Sequence, residues 1–238
     1  MCMKKLIFVL MVLSIPALAS AGTTLYDSQG FEGPLYNLGL LTGQDLWVTD
    51  STAGQPDPQV INDPTGAGMG QVVEIDALPD IGGWSGAYRP AGPSLPGTVV
   101  IEWDQYRTST FDNFWYADHI AWNGWWAMQW DQNSQASAQT FDFGVPLTVN
   151  QWQHVIYTFD TIAQTVTVDI DGLVFTSPNA MTDPTIDGID LEGESTTFDG
   201  DNGPILVDNM RITETPIPEP GVLLLAGLGL VALLRRKK

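Results

Sequence analysis

From about residue 22 to residue 216 the apolar positions recur at every second residue. Thr98–Arg107 shows the pattern: Val99, Ile101 and Trp103 fall on one face of an extended chain, and Val100, Glu102 and Asp104 on the other. Thr165–Ile170 repeats it, with Val166, Val168 and Ile170 set against Thr165, Thr167 and Asp169. Gln151–Asp160 is apolar on both faces, Trp152 and Ile156 opposing Val155, Tyr157 and Phe159. That composition predicts a strand flanked on both sides within a sandwich. Pro204–Thr213 reads as a closing strand, and no stretch sustains a 3.6-residue period.

Turn signals punctuate these runs: Gln55–Pro58, Asp63–Gly66, Gly82-Gly83, Pro93–Gly97, Asn123-Gly124, Asp171-Gly172 and Asp199–Gly203. Asp171-Gly172 predicts a tight hairpin, because both residues tolerate the positive φ that a two-residue turn requires, with Leu173–Phe175 returning. Many short strands joined by long loops, without an internal repeat, predict an all-β fold, a sandwich or jelly roll.

A resemblance supports that reading. Asn150–Gly172, NQWQHVIYTFDTIAQTVTVDIDG, is similar to a strand pair of laminin G-like and concanavalin A-like lectin/glucanase domains. Phe31–Gly33 and Ile205–Thr213 resemble the first and last strands of those domains and of galactose-binding-like carbohydrate modules. The resemblance implies a concanavalin A-like jelly-roll β-sandwich, with carbohydrate as the ligand class.

Both ends of the chain depart from the strand pattern. Lys4 and Lys5 precede the apolar stretch Leu6–Leu18, and Ala19-Ser20-Ala21 has the small-x-small form of a cleavage site. Residues 1–21 therefore read as a signal peptide for signal peptidase, leaving Gly22 first. Cys2, the sole cysteine, departs with it, so the mature domain has no disulfide. At the other end Gly221–Leu234 is an uncharged run of 14 residues followed by Arg235, Arg236, Lys237 and Lys238. As a helix it spans roughly 21 Å against a hydrocarbon core of about 30 Å, a short transmembrane helix whose basic end stays in the cytoplasm.

Pro218-Glu219-Pro220, then the apolar run, then the basic cluster, resembles a PEP-CTERM sorting signal. The resemblance implies recognition by an exosortase, a membrane-embedded cysteine transpeptidase of Gram-negative bacteria that make extracellular polysaccharide. No Leu-Pro-x-Thr-Gly motif is present. The expected organisation is signal peptide 1–21, sandwich 22–214, linker 215–217 and sorting tail 218–238. The expected route is export, an inner-membrane intermediate held by the tail, then the outer surface or extracellular matrix.

Charge narrows the partners. Of 28 acidic and 9 basic residues, 27 acids but only three bases (Arg89, Arg107 and Arg211) lie between Gly22 and Pro216. Such a body repels nucleic acid and anionic lipid, and suits cations or neutral partners such as an exopolysaccharide.

Candidate chemistry is sparse. Glu74 and Asp76 match the first two positions of the Glu-x-Asp-x-x-Glu of concanavalin-like laminarinases, but Pro79 stands where the third carboxylate belongs. There is no Gly-x-Ser-x-Gly, phosphate loop or His-Glu-x-x-His, and His119 and His154 read as strand residues, His154 as packed, without ligand-spaced partners. No catalytic residue is assigned. The acidic run Asp183–Asp201, including Asp190, Glu192 and Glu194, reads either as a solvated loop or as a calcium site. Glu32, Asp199, Asp201 and Asp208 are the candidate ligands for a structural calcium ion, Glu32 by resemblance to sugar-binding modules that bridge their end strands through calcium. Around Asn123-Gly124 a two-residue turn would pair Trp122 with Trp125 and Asp118 with Gln129. These four residues form a candidate sugar platform, the indoles for stacking and the polar pair for hydroxyls; the alternative is that the tryptophans are core. The expected function is a non-catalytic, exported cell-surface or matrix protein that binds polysaccharide; the alternative is a concanavalin-like glycoside hydrolase.

Overall fold

The computed structural model describes residues 22–76, 78, 83–90, 95–108, 113–117, 128–130, 135–138, 141–146, 148–177, 188–195 and 203–217. The expected signal peptide, the sorting tail, Trp122, Trp125, Asp118, His119, Asp199 and Asp201 lie outside these residues. Among the described residues no helix is long and apolar enough to cross a membrane.

Among the described residues sixteen strands follow one another: β1 (Thr23–Asp27), β2 (Gly39–Leu40), β3 (Val48–Thr49), β4 (Gln59–Asn62), β5 (Gln71–Ile75), β6 (Gly83–Pro90), β7 (Gly97–Arg107), β8 (Asn113–Ala117), β9 (Met128–Trp130), β10 (Gln135–Ala138), β11 (Phe141–Pro146), β12 (Trp152–Asp160), β13 (Thr165–Ile170), β14 (Leu173–Ser177), β15 (Gly188–Ser195) and β16 (Ile205–Pro216). They build two sheets. A nine-stranded sheet runs β14-β13-β12-β7-β16-β5-β4-β2, with β1 also paired to β16. A seven-stranded sheet runs β11-β10-β9-β8-β15-β6-β3.

The period-2 faces explain the packing. Val99, Ile101 and Trp103 of β7, Val155, Tyr157 and Phe159 of β12, and Val166, Val168 and Ile170 of β13 are all buried in one core with Ala87, Ile189 and Leu191 of the other sheet. Each such side chain contributes roughly 1.5–3 kcal/mol by leaving water. β12 lies between β7 and β13; Val155, Tyr157 and Phe159 on its inward face are buried, whereas Trp152 and Ile156 on the other face are only partly covered. Asp171 (φ 51°) and Gly172 (φ 88°) make the expected hairpin, pairing Ile170 with Leu173.

A second group of aromatics closes one side of the sandwich. The Trp47 indole N–H donates to the Tyr36 hydroxyl, which donates in turn to Asp45 Oδ2 at 2.9 Å. Arg89 pairs with Asp45 at 3.1 Å and stacks over the Tyr26 ring. This buried cation is thus paired and covered, as a buried charge requires.

Three expectations are corrected. β16 runs through Pro216, so residues 215 and 216 of the expected linker are strand, and the Ile217 N–H donates to Pro96 O at 3.0 Å. Asp190, Glu192 and Glu194 lie on β15, not in a solvated loop, and Asp190 and Glu192 are buried. The reason is the alternation of Ile189 and Leu191, which turn into the core and fix the acids on the opposite pleat. His154, expected to be packed, has a half-exposed side chain on β12, bonded to Asp104.

Candidate functional site

The first candidate lies on the face of the seven-stranded sheet turned away from the core. Asp190 and Glu192 project there from β15, one pleat apart. The chain after β3 brings Asp50 alongside: its N–H donates to Gly86 O at 3.0 Å, and Thr52 N–H donates to Trp84 O at 2.9 Å. Asp50, Asp190 and Glu192 each place a carboxylate oxygen within 4.8 Å of the others. Asp190 and Glu192 are almost fully buried, whereas Asp50 is partly exposed.

Gly86 makes this approach sterically feasible. It pairs with Glu192 across the strands, and a Cβ there would lie 2.9 Å from Glu192 Cγ and 3.4 Å from Asp50 O. Beside it on the same pleat of β6 stands Trp84, 39% exposed, its indole N–H donated to Asp50 O. The site therefore combines clustered carboxylate oxygens, which accept from sugar hydroxyls, with a half-open indole that can stack on the apolar face of a ring.

Strand register extends the row. Glu192 pairs with Trp115 of β8, Trp115 with Gln129 of β9, Gln129 with Ser137 of β10 and Ser137 with Asp142 of β11. From Gly86 to Asp142 this crosses five strand spacings, ~24 Å at about 4.8 Å each. Gln129, expected opposite Asp118, pairs with Trp115. That register is three residues from the one a symmetric two-residue turn at Asn123-Gly124 would set.

The second candidate lies where the first and last strands meet on the nine-stranded sheet. After β1 a 3₁₀ turn, Gln29–Phe31, delivers Glu32 to the bulge of β16, where Asn209 has φ 52°. Glu32 Oε1 accepts the Gln71 N–H at 2.6 Å. Gly70, at φ +80°, leaves the space: a Cβ there would overlap Glu32 Oε1. Asp208 is buried, and its Oδ1 accepts the Asn209 N–H at 2.7 Å. Burial first, then the charges of Asp104, Glu32 and Asp63, push its carboxyl up to about 7, against the pull of that hydrogen bond.

Its neighbours are tied down. Asp104 Oδ1 meets His154 Nδ1 at 2.7 Å, and Asp104 Oδ2 accepts from Asn209 Nδ2 at 2.7 Å. Asp63, despite some desolvation, is held below the usual carboxylate range by hydrogen bonds from Thr65, Met69 and Gly68. The fold thus brings together Glu32 and Asp208 of the expected ligand set, with Asp199 and Asp201 outside the described residues. Among the described residues the group of three carboxylates spaced to hold a metal ion is Asp50, Asp190 and Glu192, and Glu32 with Asp208 does not form such a group.

Glu74 lies on β5 of the nine-stranded sheet and Asp76 just past its end, whereas Asp190 and Glu192 belong to the seven-stranded sheet. Burial, then the Asp76 charge, raises the Glu74 carboxyl above its ordinary range. The Asp190–Glu192 pair was missed as a site because it lies inside a long acidic run. Its signal was the alternation Ile189-Asp190-Leu191-Glu192.

Comparison with known proteins agrees with both parts of the chain. Residues 216–238 match the family model described as a PEP-CTERM protein-sorting motif. No curated protein matches the chain by sequence. Among solved structures the sandwich is similar to a sialidase (12% identity, TM-score 0.55), covering 71% of this chain and 17% of the sialidase. It is similar to a peanut lectin (9% identity, TM-score 0.53), covering 84% of this chain and all of the lectin. It is also similar to lectin II from Ulex europaeus (10% identity, TM-score 0.50), covering 75% and 96%. At these identities the likeness is one of fold: a lectin-type jelly roll followed by a PEP-CTERM sorting motif.

Proposed function

We propose that this is an exported surface or matrix protein, sorted by an exosortase through its tail, whose sandwich binds polysaccharide on the outer face of the seven-stranded sheet. The observation that carries the binding site is the cluster of Asp50, Asp190 and Glu192 oxygens beside the half-exposed Trp84. Trp122, Trp125 and Asp118 fall in sequence between β8 and β9, and β8 pairs with β15. That connection supports a role for them, with Gln129, in stacking and bonding the same glycan. A glycan-array screen on residues 22–217 tests the reading. Binding that survives in wild type and is lost in Glu192→Gln supports it, and no binding to any glycan overturns it.

The second reading is a glycoside hydrolase. Three carboxylates with oxygens within 4.8 Å favour it, since retaining hydrolases hold their two carboxyl groups about 5–5.5 Å apart. On that reading one carboxyl would protonate the leaving oxygen and another would attack the sugar carbon. Sustained hydrolysis of a bound polysaccharide, lost in Glu192→Gln, would select it over simple binding.

We further propose a structural calcium ion between Glu32 and Asp208. It would tie the first strand to the last and offset the charge repulsion that raises Asp208.

A further inference from the structure

We infer that the end of the nine-stranded sheet carrying Leu95, Ile162 and Ile217 is a membrane-facing surface, on which the folded domain rests against the bilayer while its tail is attached. The inference rests on the sorting reading of that tail.

The first argument is covalent reach. β16 stays paired as far as Pro216, opposite Gly97, and Ile217 is still bonded to Pro96. The apolar run begins at Gly221, so only Pro218, Glu219 and Pro220 intervene. Four Cα steps of about 3.3–3.6 Å reach no more than ~14 Å. Unless β16 peels off, the sandwich cannot stand further than that from the start of the membrane segment.

The second argument is what the chain places at that point. Gly97 N–H donates to Thr161 Oγ1 at 2.8 Å, and Thr161 N–H donates to Gly97 O at 2.9 Å. This clamps the β12–β13 turn beside the exit and puts Ile162 next to it. Leu95 is fixed from the other side, its N–H donated to Glu214 Oε2 at 2.9 Å. The exposures of Leu95, Ile162 and Ile217 are 54%, 58% and 55%. Nearby carboxylates are engaged locally: Glu214 is buried, and Asp160 Oδ1 accepts from Ile162 and Ala163 N–H. The tip therefore offers water three large apolar side chains.

The third argument is orientation. Gly22 sits at the same end, since Thr23 pairs with Glu214 and a Cβ on Gly22 would lie 3.3 Å from Glu214 O. The expected signal peptide would thus leave the sandwich beside the tail, and its removal would place an α-ammonium group at this end. The body, with 27 acids and three bases between Gly22 and Pro216, is repelled by an anionic leaflet. Tether and apolar tip draw one end to the bilayer while the charge keeps the remainder off.

The test uses the full chain with its tail, purified from cells lacking an exosortase and reconstituted in vesicles of phosphatidylethanolamine and phosphatidylglycerol. With Cys2 replaced by serine, single cysteines at Ile162→Cys, Leu95→Cys or Leu173→Cys carry an environment-sensitive dye. Leu173, 57% exposed, opens the turn at the opposite end of β13 and serves as control. Spin-labelled lipid should quench the dye at positions 162 and 95 several-fold more than at 173. Equal quenching, with the tail resistant to carbonate extraction, overturns the inference and leaves the sorting reading standing. Loss of the tail to carbonate overturns both. Quenching at 162 that appears only with added exosortase assigns the surface to that enzyme and overturns the bilayer.

Discussion

Glu32, just after the first strand, and Asp208, on the last, converge on one point: a Cβ on Gly30 would lie 3.7 Å from Glu32 Cγ and 3.6 Å from Asp208 Oδ1. Two like-charged side chains from opposite ends of the domain share a partly buried space. Such a contact is costly when both are ionised without a cation.

Stability should therefore depend on pH in an unusual direction near neutrality. The Asp208 carboxyl is pushed up to about 7, whereas a carboxyl in the unfolded chain titrates near 3.9. Between those values the folded state binds the extra proton, so stability falls as pH rises from about 4 to about 7. The fall is up to about 4 kcal/mol at 1.36 kcal/mol per pH unit. Urea denaturation in chelator across this range measures it, and Asp208→Asn should flatten the slope.

Calcium should reverse that slope. Added in excess over chelator at pH 7.5, it should raise the melting temperature of residues 22–217, and Asp208→Asn should abolish the rise. A rise that persists in Asp208→Asn and disappears in Glu192→Gln would move the ion to the Asp50–Asp190–Glu192 cluster. An unchanged melting temperature would remove both sites.

Gly70→Ala should destabilise the fold by roughly 1–3 kcal/mol. The residue sits at φ +80°, and its Cβ would overlap Glu32 Oε1. Chemical denaturation measures the loss. Gly172→Ala, equally left-handed at φ +88° but with nothing within 4 Å, should cost less.

Trp122→Ala and Trp125→Ala should weaken polysaccharide binding while stability stays nearly unchanged. A loss of about 3–5 kcal/mol on either substitution would place that indole in the core and remove it from the platform.

Processing should cut the chain near Pro218–Pro220 and release the sandwich to the outer surface. Intact mass measurement of the surface form decides it, since retention of Arg235–Lys238 would mean permanent anchoring instead.

The sandwich was legible where one residue type carried one face. Val166, Val168 and Ile170 named their strand and its inward side, and Asp171-Gly172 named its turn. β2 and β3, two residues each, are too short for any alternation to register. β15 hid its period because acids occupied the outward pleat so densely that Asp183–Asp201 looked uniformly solvated. Pro216 looked like linker because proline interrupts a ladder, yet at the end of β16 it costs only a terminal donor. The meeting of Glu32 with Asp208 was suggested by resemblance alone, because no local pattern reports which distant carboxylates a sheet order will juxtapose.

β16 is paired on its flanks with β7, β5 and β1, yet it is the last strand made. A chain threaded outward from its N-terminus therefore cannot complete the nine-stranded sheet until residue 216 has crossed. On the proposed export route the apolar run, separated from Ile217 by three residues, would by then be entering the same membrane. Closure of the sheet and arrest of the tail would then be nearly simultaneous events, and the sandwich would complete itself while still beside the bilayer. A longer spacer after Ile217 would separate the two in time, letting the domain fold free of the membrane before the tail is held.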